Sequence, residues 1–345
     1  LVRRLALEPS GELRPRRASG APPLMRHSPP ATGAQLVGFA HVVASYGAFL
    51  LRRGRFREQW ALAWARDASD SGRGGVAPGD LSLGDPSARV PQLDLSRYRP
   101  LIPPPDRFWA DPFPLRVGGR EYVLFEELRY EDGVGYLVAV EMGADGPAGE
   151  PVTVLRRPYH LSYPFVFEYG GETWLIPETA EEGRLELYRA TRAPFEWTLD
   201  RVLLEGPGLV DATIEEIDGR WWMFACEYRP GRWAWTDLVL FHAESPLGPW
   251  HPHPRNPVFS DARVARPAGR LFRHGGSWIR PAQDCSRTYG GALSLRRIVT
   301  LSLTDYEEEE VSQLEAGPAP GRGGPHTINA LGGLSVIDLK RTVRR

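Results

Sequence analysis

Cysteine is nearly absent: the 345 residues hold two, Cys226 and Cys285, so no disulfide framework organises the chain. Two isolated thiols in a chain this size suit a reducing compartment, and a cytoplasmic location is the expectation. Charge of one sign is also lacking. A net charge of −1 leaves no broad basic face and excludes nucleic acid as an expected partner. No glycine-rich phosphate loop follows a strand and opens a helix, which removes support for nucleotide binding. A serine nucleophile elbow is missing as well. His251-Pro252-His253 has no third partner at metal-ligand spacing and reads as an exposed loop, so neither metal nor cofactor is expected. Nor is there a long apolar run. The best candidate, Leu36–Leu51, falls short of the ~20 residues a membrane span needs and carries His41, Ser45 and Tyr46. Although Arg52, Arg53, Arg55 and Arg57 follow it, a short packed helix over residues 36–51 is expected rather than a span. No secretory leader pattern opens the sequence.

What is present falls into two textures. Residues 1–100 are rich in Arg, Pro, Gly and Ser, as in Arg14-Pro15-Arg16-Arg17 and Ser28-Pro29-Pro30. Such composition buries little apolar surface, so a linker-like extension is predicted, partly disordered and partly helical. Within it, Trp60–Trp64 (WALAW) is a brief strand-like run. Residues 101–345 instead carry short aromatic and β-branched runs separated by Gly118-Gly119, Gly170-Gly171, Asp218-Gly219 and Gly275-Gly276. Short strands joined by turn dipeptides, with almost no helical period, predict an all-β domain.

This domain repeats. Asp111-Pro112-Phe113, Tyr163-Pro164-Phe165, Asp211-Ala212-Thr213 and Arg266-Pro267-Ala268 each precede a turn dipeptide and a second apolar run, and His326-Thr327-Ile328 is a weaker fifth start. A period of about 50 residues is that of a four-stranded propeller blade, so a five-bladed β-propeller is predicted. The last unit has material for only two strands before the sequence stops. Trp60–Trp64, or residues near Tyr98, are expected to complete it.

In a propeller the innermost strands line the axial channel. Asp111, Tyr163, Asp211, Arg266 and His326 would then ring one mouth. The ends of the second runs, Glu127, Glu178, Glu227 and the pair Gln283-Asp284, would lie beside them. With Trp109, His160 and Arg280 nearby, such a funnel suits a sugar. Carboxylates and amides bond hydroxyls, while aromatic faces cover the apolar side of a pyranose. Paired carboxylates also serve glycosidic cleavage. Asp111 is the candidate base or nucleophile, Glu227 or Glu178 the acid, and Asp211 the charge that tunes it. The bland alternatives are plain too. Asp before Pro commonly forms a turn, and a Glu repeated in every blade can bond the neighbouring blade, the reading favoured for Glu127.

Phe108–Phe113, His160–Pro164, Ile176-Pro177-Glu178, Arg266–Gly269, Gln283-Asp284, Tyr289-Gly290 and His326-Thr327 together resemble one known domain. It is the N-terminal propeller of the glucosamine inositolphosphorylceramide transferases and its bacterial relatives, grouped with the five-bladed propellers of glycoside hydrolase families 43, 32 and 68. The resemblance implies a carbohydrate ligand and places Asp111 where those hydrolases carry their base or nucleophile. The second and fourth leads depart from the hydrolase pattern, being Tyr163 and Arg266. Two functions are therefore carried forward: a glycoside hydrolase-like enzyme, and a non-catalytic glycan-recognition domain. The latter would serve a companion transferase or formyltransferase domain, of which bacterial relatives carry the second kind upstream of the propeller.

Overall fold

A computed structural model describes residues 6–7, 13–14, 56–66, 95–206, 208–228, 236–315 and 324–344. The helix expected over residues 36–51 lies outside them. Residues Leu1–Arg55 form a unit of their own, of which the described part is the antiparallel pair Ala6–Leu7 and Leu13–Arg14.

From Phe56 onward the chain is a five-bladed β-propeller. Blade one contains Arg107–Val117, Arg120–Arg129 and Gly135–Gly143, edged by Gly146–Pro147 and Val152–Leu155. Blade two is the meander Ser162–Tyr169, Glu172–Glu178, Arg184–Arg192 and Glu196–Glu205. Blade three runs Gly208–Ile217, Arg220–Tyr228 and Asp237–Ala243, with His251–Pro252 and Phe259–Ser260 on its outer edge. The inner strand of blade four is split into Arg266–Pro267 and Phe272–His274. Ser277–Asp284, Ala292–Leu301 and Tyr306–Glu315 follow it. Among the described residues, the helical elements are two single-turn 3₁₀ helices, Leu95–Arg97 and Ala180–Glu182. Among these described residues no helix is long and apolar enough to cross a membrane.

The turn dipeptides explain the meanders. Gly118-Gly119, Gly170-Gly171, Asp218-Gly219, Gly275-Gly276 and Gly332-Gly333 all have positive φ at both positions. That is the conformation of the tight hairpin turn whose twist matches the strands it joins. All five blades therefore open with the same hairpin.

Blade five draws on both ends of the described propeller. Ile328–Leu331 pairs with Leu334–Arg344, which pairs with Phe56–Arg66, which pairs with Arg99–Leu101. The central seam runs without a register shift from Leu334 opposite Arg66 to Arg344 opposite Phe56. The propeller thus takes in residues ahead of the 101–345 span read from the sequence. The apolar run Trp60–Trp64 is fully buried, and Leu62 and Trp64 pack with Trp109, Phe125 and Val336 where blade five meets blade one. Closing the ring removes the last free inter-blade face, so the closing strand seals a core rather than decorating it. His253 departs from the exposed-loop expectation. Its buried ring accepts the Arg255 N–H on Nδ1 and places Nε2 3.2 Å from the Ser302 carbonyl.

Candidate functional site

The inner strands of blades one, two and three each break register at the lead residue, between Ala110 and Phe113, Ser162 and Phe165, and Val210 and Thr213. At these bulges Asp111, Tyr163 and Asp211 hold φ of 53°, 43° and 54°. A left-handed backbone costs a residue with a side chain of order 1–3 kcal/mol and persists only where the surroundings impose it. Three blades repeat it at the same position, and each bulge turns its lead side chain toward the axis.

Two buried networks hold these side chains. In the first, Asp338, from the middle of the last strand, accepts the Asp111 N–H on Oδ2 at 2.9 Å. Its Oδ1 accepts the His326 and Thr327 N–H groups at 3.0 and 2.9 Å. The same carboxylate lies 2.6 Å from His326 Nδ1, and His326 Nε2 lies 3.5 Å from Asp111 Oδ1. Thr327 donates to Asp111 Oδ1 at 2.8 Å and the Tyr163 N–H to Oδ2 at 3.3 Å. Trp60 stacks on the His326 ring at 4.1 Å, and Tyr289 meets that ring edge-on at 5.4 Å. In the second network Arg266 grips Asp211 through both its Nε (2.5 Å) and Nη2 (3.2 Å), while Gln283 donates to Asp211 Oδ2 at 2.9 Å. Glu178 stands 3.6 Å from Arg266, and its Oε2 is buried without a hydrogen-bond partner. Between the two networks, the Tyr163 hydroxyl accepts the Gly269 N–H at 2.8 Å and lies 2.7 Å from Thr213 Oγ1.

The side chains still open at the mouth are few. His160, about one third exposed, accepts the Gly135 N–H on Nδ1 and turns Nε2 to Glu126 at 3.2 Å. Glu178 is 16% exposed, and the Tyr289 ring lies 5.0 Å beneath the Arg266 guanidinium. Burial pushes Asp111 up to about 7, against the pull of His326. Burial also raises Glu178 well above the ordinary carboxyl range, helped by the charge of Asp211 and against the pull of Arg266. Desolvation works against charge on His160, but Glu126, Glu178 and Asp111 raise it to about 9. His326 is likewise raised, its burial outweighed by Asp338 and Asp111.

These shifts share one sign. Asp111 binds an extra proton in the folded state between its ordinary value of 3.8 and about 7, and His160 between 6.5 and about 9. Stability is therefore expected to fall as pH rises through both windows, from about 4 to about 9. Urea midpoints at pH 5, 7 and 9 check this, and Asp111→Asn should flatten the acidic half. A midpoint that rises from pH 5 to pH 7 would contradict the assignment.

With the geometry in view, the chain can be compared with known proteins. The sequence model of a family described as glucosamine inositolphosphorylceramide transferase 1, N-terminal, matches residues 102–324. The chain belongs to this family. The glucosamine inositolphosphorylceramide transferase 1 of Oryza sativa subsp. japonica is 41% identical over 213 residues, 60% of this chain and 28% of the rice protein. That of Arabidopsis thaliana is 37% identical over 214 residues, with the same coverage. The chain thus spans 28% of the length of these relatives. A family 117 glycoside hydrolase from Zobellia galactanivorans superposes with a TM-score of 0.49 at 13% identity, covering 68% of this chain and 85% of that one. The match to the transferase family includes Asp111, Tyr163, Glu178, Asp211, Arg266 and Gln283, whereas His326 and Asp338 lie beyond it.

Several residues singled out in the sequence sit elsewhere in this family member. Trp109 is core: its ring packs on Phe125 at 5.3 Å and its indole N–H donates to Glu127 at 2.8 Å. Arg280 is wholly buried and forks onto Glu308 at 2.8 and 2.7 Å, with a third bond to the Val264 carbonyl. It braces blade four and touches no axial carboxylate, and Glu308 is its counter-ion. Glu227 is out of place by one residue. Ala110 pairs with Glu126, Ser162 with Glu178 and Val210 with Cys226, so Cys226 takes the blade-three position and Glu227 follows it. Glu127 bonds Arg107, Trp109 and Tyr136 in blade one, the structural role favoured for it. Asp284 accepts from Ser286 and Gln313 at the rim of blade four rather than on the axis.

Five site residues escaped the sequence reading: Glu126, Asp338, Thr327, Trp60 and Tyr289. Asp338 had a signal, a lone acid inside an apolar strand (Leu334–Leu339). Asp111, His326 and Asp338 also form a group that offers three ligand atoms within 4.8 Å of one another. The two Asp338 oxygens already accept three backbone N–H groups.

Proposed function

We propose that the axial funnel binds the sugar portion of a glycan and does not cleave it, serving a companion transferase or formyltransferase domain. The carrying observation is that both axial aspartates are engaged by the protein itself. Asp211 is gripped by Arg266 and Gln283; Asp111 is held by Thr327, the Tyr163 N–H and His326. A retaining or inverting pair needs two carboxyls flanking the scissile bond, one of them free to attack or to activate water. Here the groups offered to a ligand are His160, Glu178, Tyr289 and the edge of Arg266: donors, acceptors and one aromatic face. The relatives' name joins glucosamine to an inositolphosphorylceramide, so a hexosamine-bearing ligand is the first to try.

One observation favours the second reading, a hydrolase-like enzyme with Asp111 as base or nucleophile, Glu178 as acid and Asp211 as tuning charge. Burial raises Glu178 well above the ordinary carboxyl range and leaves one of its oxygens without a hydrogen-bond partner, as suits a general acid. A glycan-array screen followed by turnover assays on the hits separates the two. Recognition predicts binding by the wild type, loss of binding in Asp111→Ala, and no turnover of any hit. Turnover that Asp111→Asn abolishes while binding survives would establish the enzyme instead.

A further inference from the structure

We infer that a cavity on the blade-four side of the funnel is a second saccharide subsite, so that the ligand is at least a disaccharide; this rests on the reading of the funnel as a sugar site. The loop between Ser277–Asp284 and Ala292–Leu301 divides the two spaces. On its funnel side Tyr289 packs against His326 and Arg266. Gly290, with φ of 62°, lies so close to Trp60 that a Cβ there would collide with the indole. On its outer side Ser286, Arg287, Thr288 and Gly291 line a cavity of about 590 Å³. That volume lies within the range of small-molecule sites, roughly 300–1,000 Å³. Adjacent residues of one loop thus contribute to both spaces, which sets the cavity beside the funnel, within reach of a second sugar.

The walls fit a sugar better than other ligand classes. Most of the polar groups are fixed by protein partners: Arg263 by Asp261, Arg296 by Glu308, and Asp284 by Gln313. Their remaining lone pairs and N–H groups are therefore presented in set directions, as recognition of hydroxyls requires. Arg287 and Thr288 are exposed and make no side-chain bond or ion pair with any described residue, which leaves both for a ligand. Phe259 supplies an aromatic wall. The other apolar side chains of the lining are Val264 and Ala292, too few to seat an acyl chain. Three arginines face three carboxylates, so no net positive field selects a polyphosphate.

The test compares mono-, di- and trisaccharides ending in glucosamine, glucose or galactose by calorimetry. At least one terminal sugar should gain about tenfold in affinity on going from mono- to disaccharide. Arg287→Ala should erase most of that gain, and Thr288→Trp, which fills the cavity, should erase it entirely. Both should leave monosaccharide affinity and melting temperature unchanged. Equal affinity for mono- and trisaccharides in the wild type overturns the subsite and leaves the funnel reading standing. So does a gain that neither variant touches. Absence of binding by every sugar overturns the funnel reading and the subsite with it.

Discussion

Asp338→Ala is expected to destabilise the propeller by about 3–5 kcal/mol and to abolish sugar binding in the funnel, although Asp338 need not touch the ligand. The carboxylate is wholly buried and is the acceptor for the backbone N–H groups of Asp111, His326 and Thr327. Alanine leaves three buried donors without partners, and no side chain of that size reaches them. It also strips His326 of the anion that holds it basic. Asp338→Asn is the informative companion. Its carbonyl can still accept from His326 and Thr327, but its amide would aim N–H groups at the Asp111 N–H, donor against donor. Asparagine should therefore recover less than half of the loss. Equilibrium urea unfolding of the three proteins at one pH measures this. A loss below about 1 kcal/mol for alanine would show that water replaces the carboxylate and that the network is not what holds Asp111.

The second large effect concerns closure. A chain beginning at Leu95, and so lacking Phe56–Arg66, is expected to give no cooperative unfolding transition and to self-associate. A chain beginning at Phe56 should fold. The missing strand leaves the whole of Leu334–Arg344 as an unpaired edge and uncovers Trp109, Phe125 and Val336. An exposed hydrophobic edge of that length invites pairing with other chains. Adding a peptide of residues 56–66 in trans should restore a monomeric fold. A well-folded monomer from the shorter chain would show that blades one to four suffice.

How far the sequence speaks differs between fold and site. The architecture was legible because each blade opens with the same device, a lead residue, a glycine-containing turn and an apolar run, and turns of that kind have local causes. The axial ring was legible for the same reason: Asp111, Tyr163, Asp211, Arg266 and His326 stand at one position of the repeat. The partners of the ring were not. Glu227 matched the spacing of Asp111 to Glu127, yet a bulge inside each inner strand decides which neighbour faces the axis, and a bulge of this kind leaves no mark in composition. Arg280 and Trp109 looked like funnel residues because they are polar or aromatic near the repeat starts. Their true partners, Glu308 and Glu127, sit on other strands, and such pairings are properties of the folded sheet. Asp338 lies 227 residues from Asp111 along the chain, a distance across which no local rule operates.

The closing seam gives the propeller a mechanical weak direction. Phe56 stands directly opposite Arg344, so tension applied between these two residues loads the seam one rung at a time, from its open end inward. Strands pulled in that geometry peel, whereas strands pulled from opposite ends must break all their rungs together. A force along the chain would open blade five first and at low load, and would release His326 and Asp338 from the funnel before any other blade had moved.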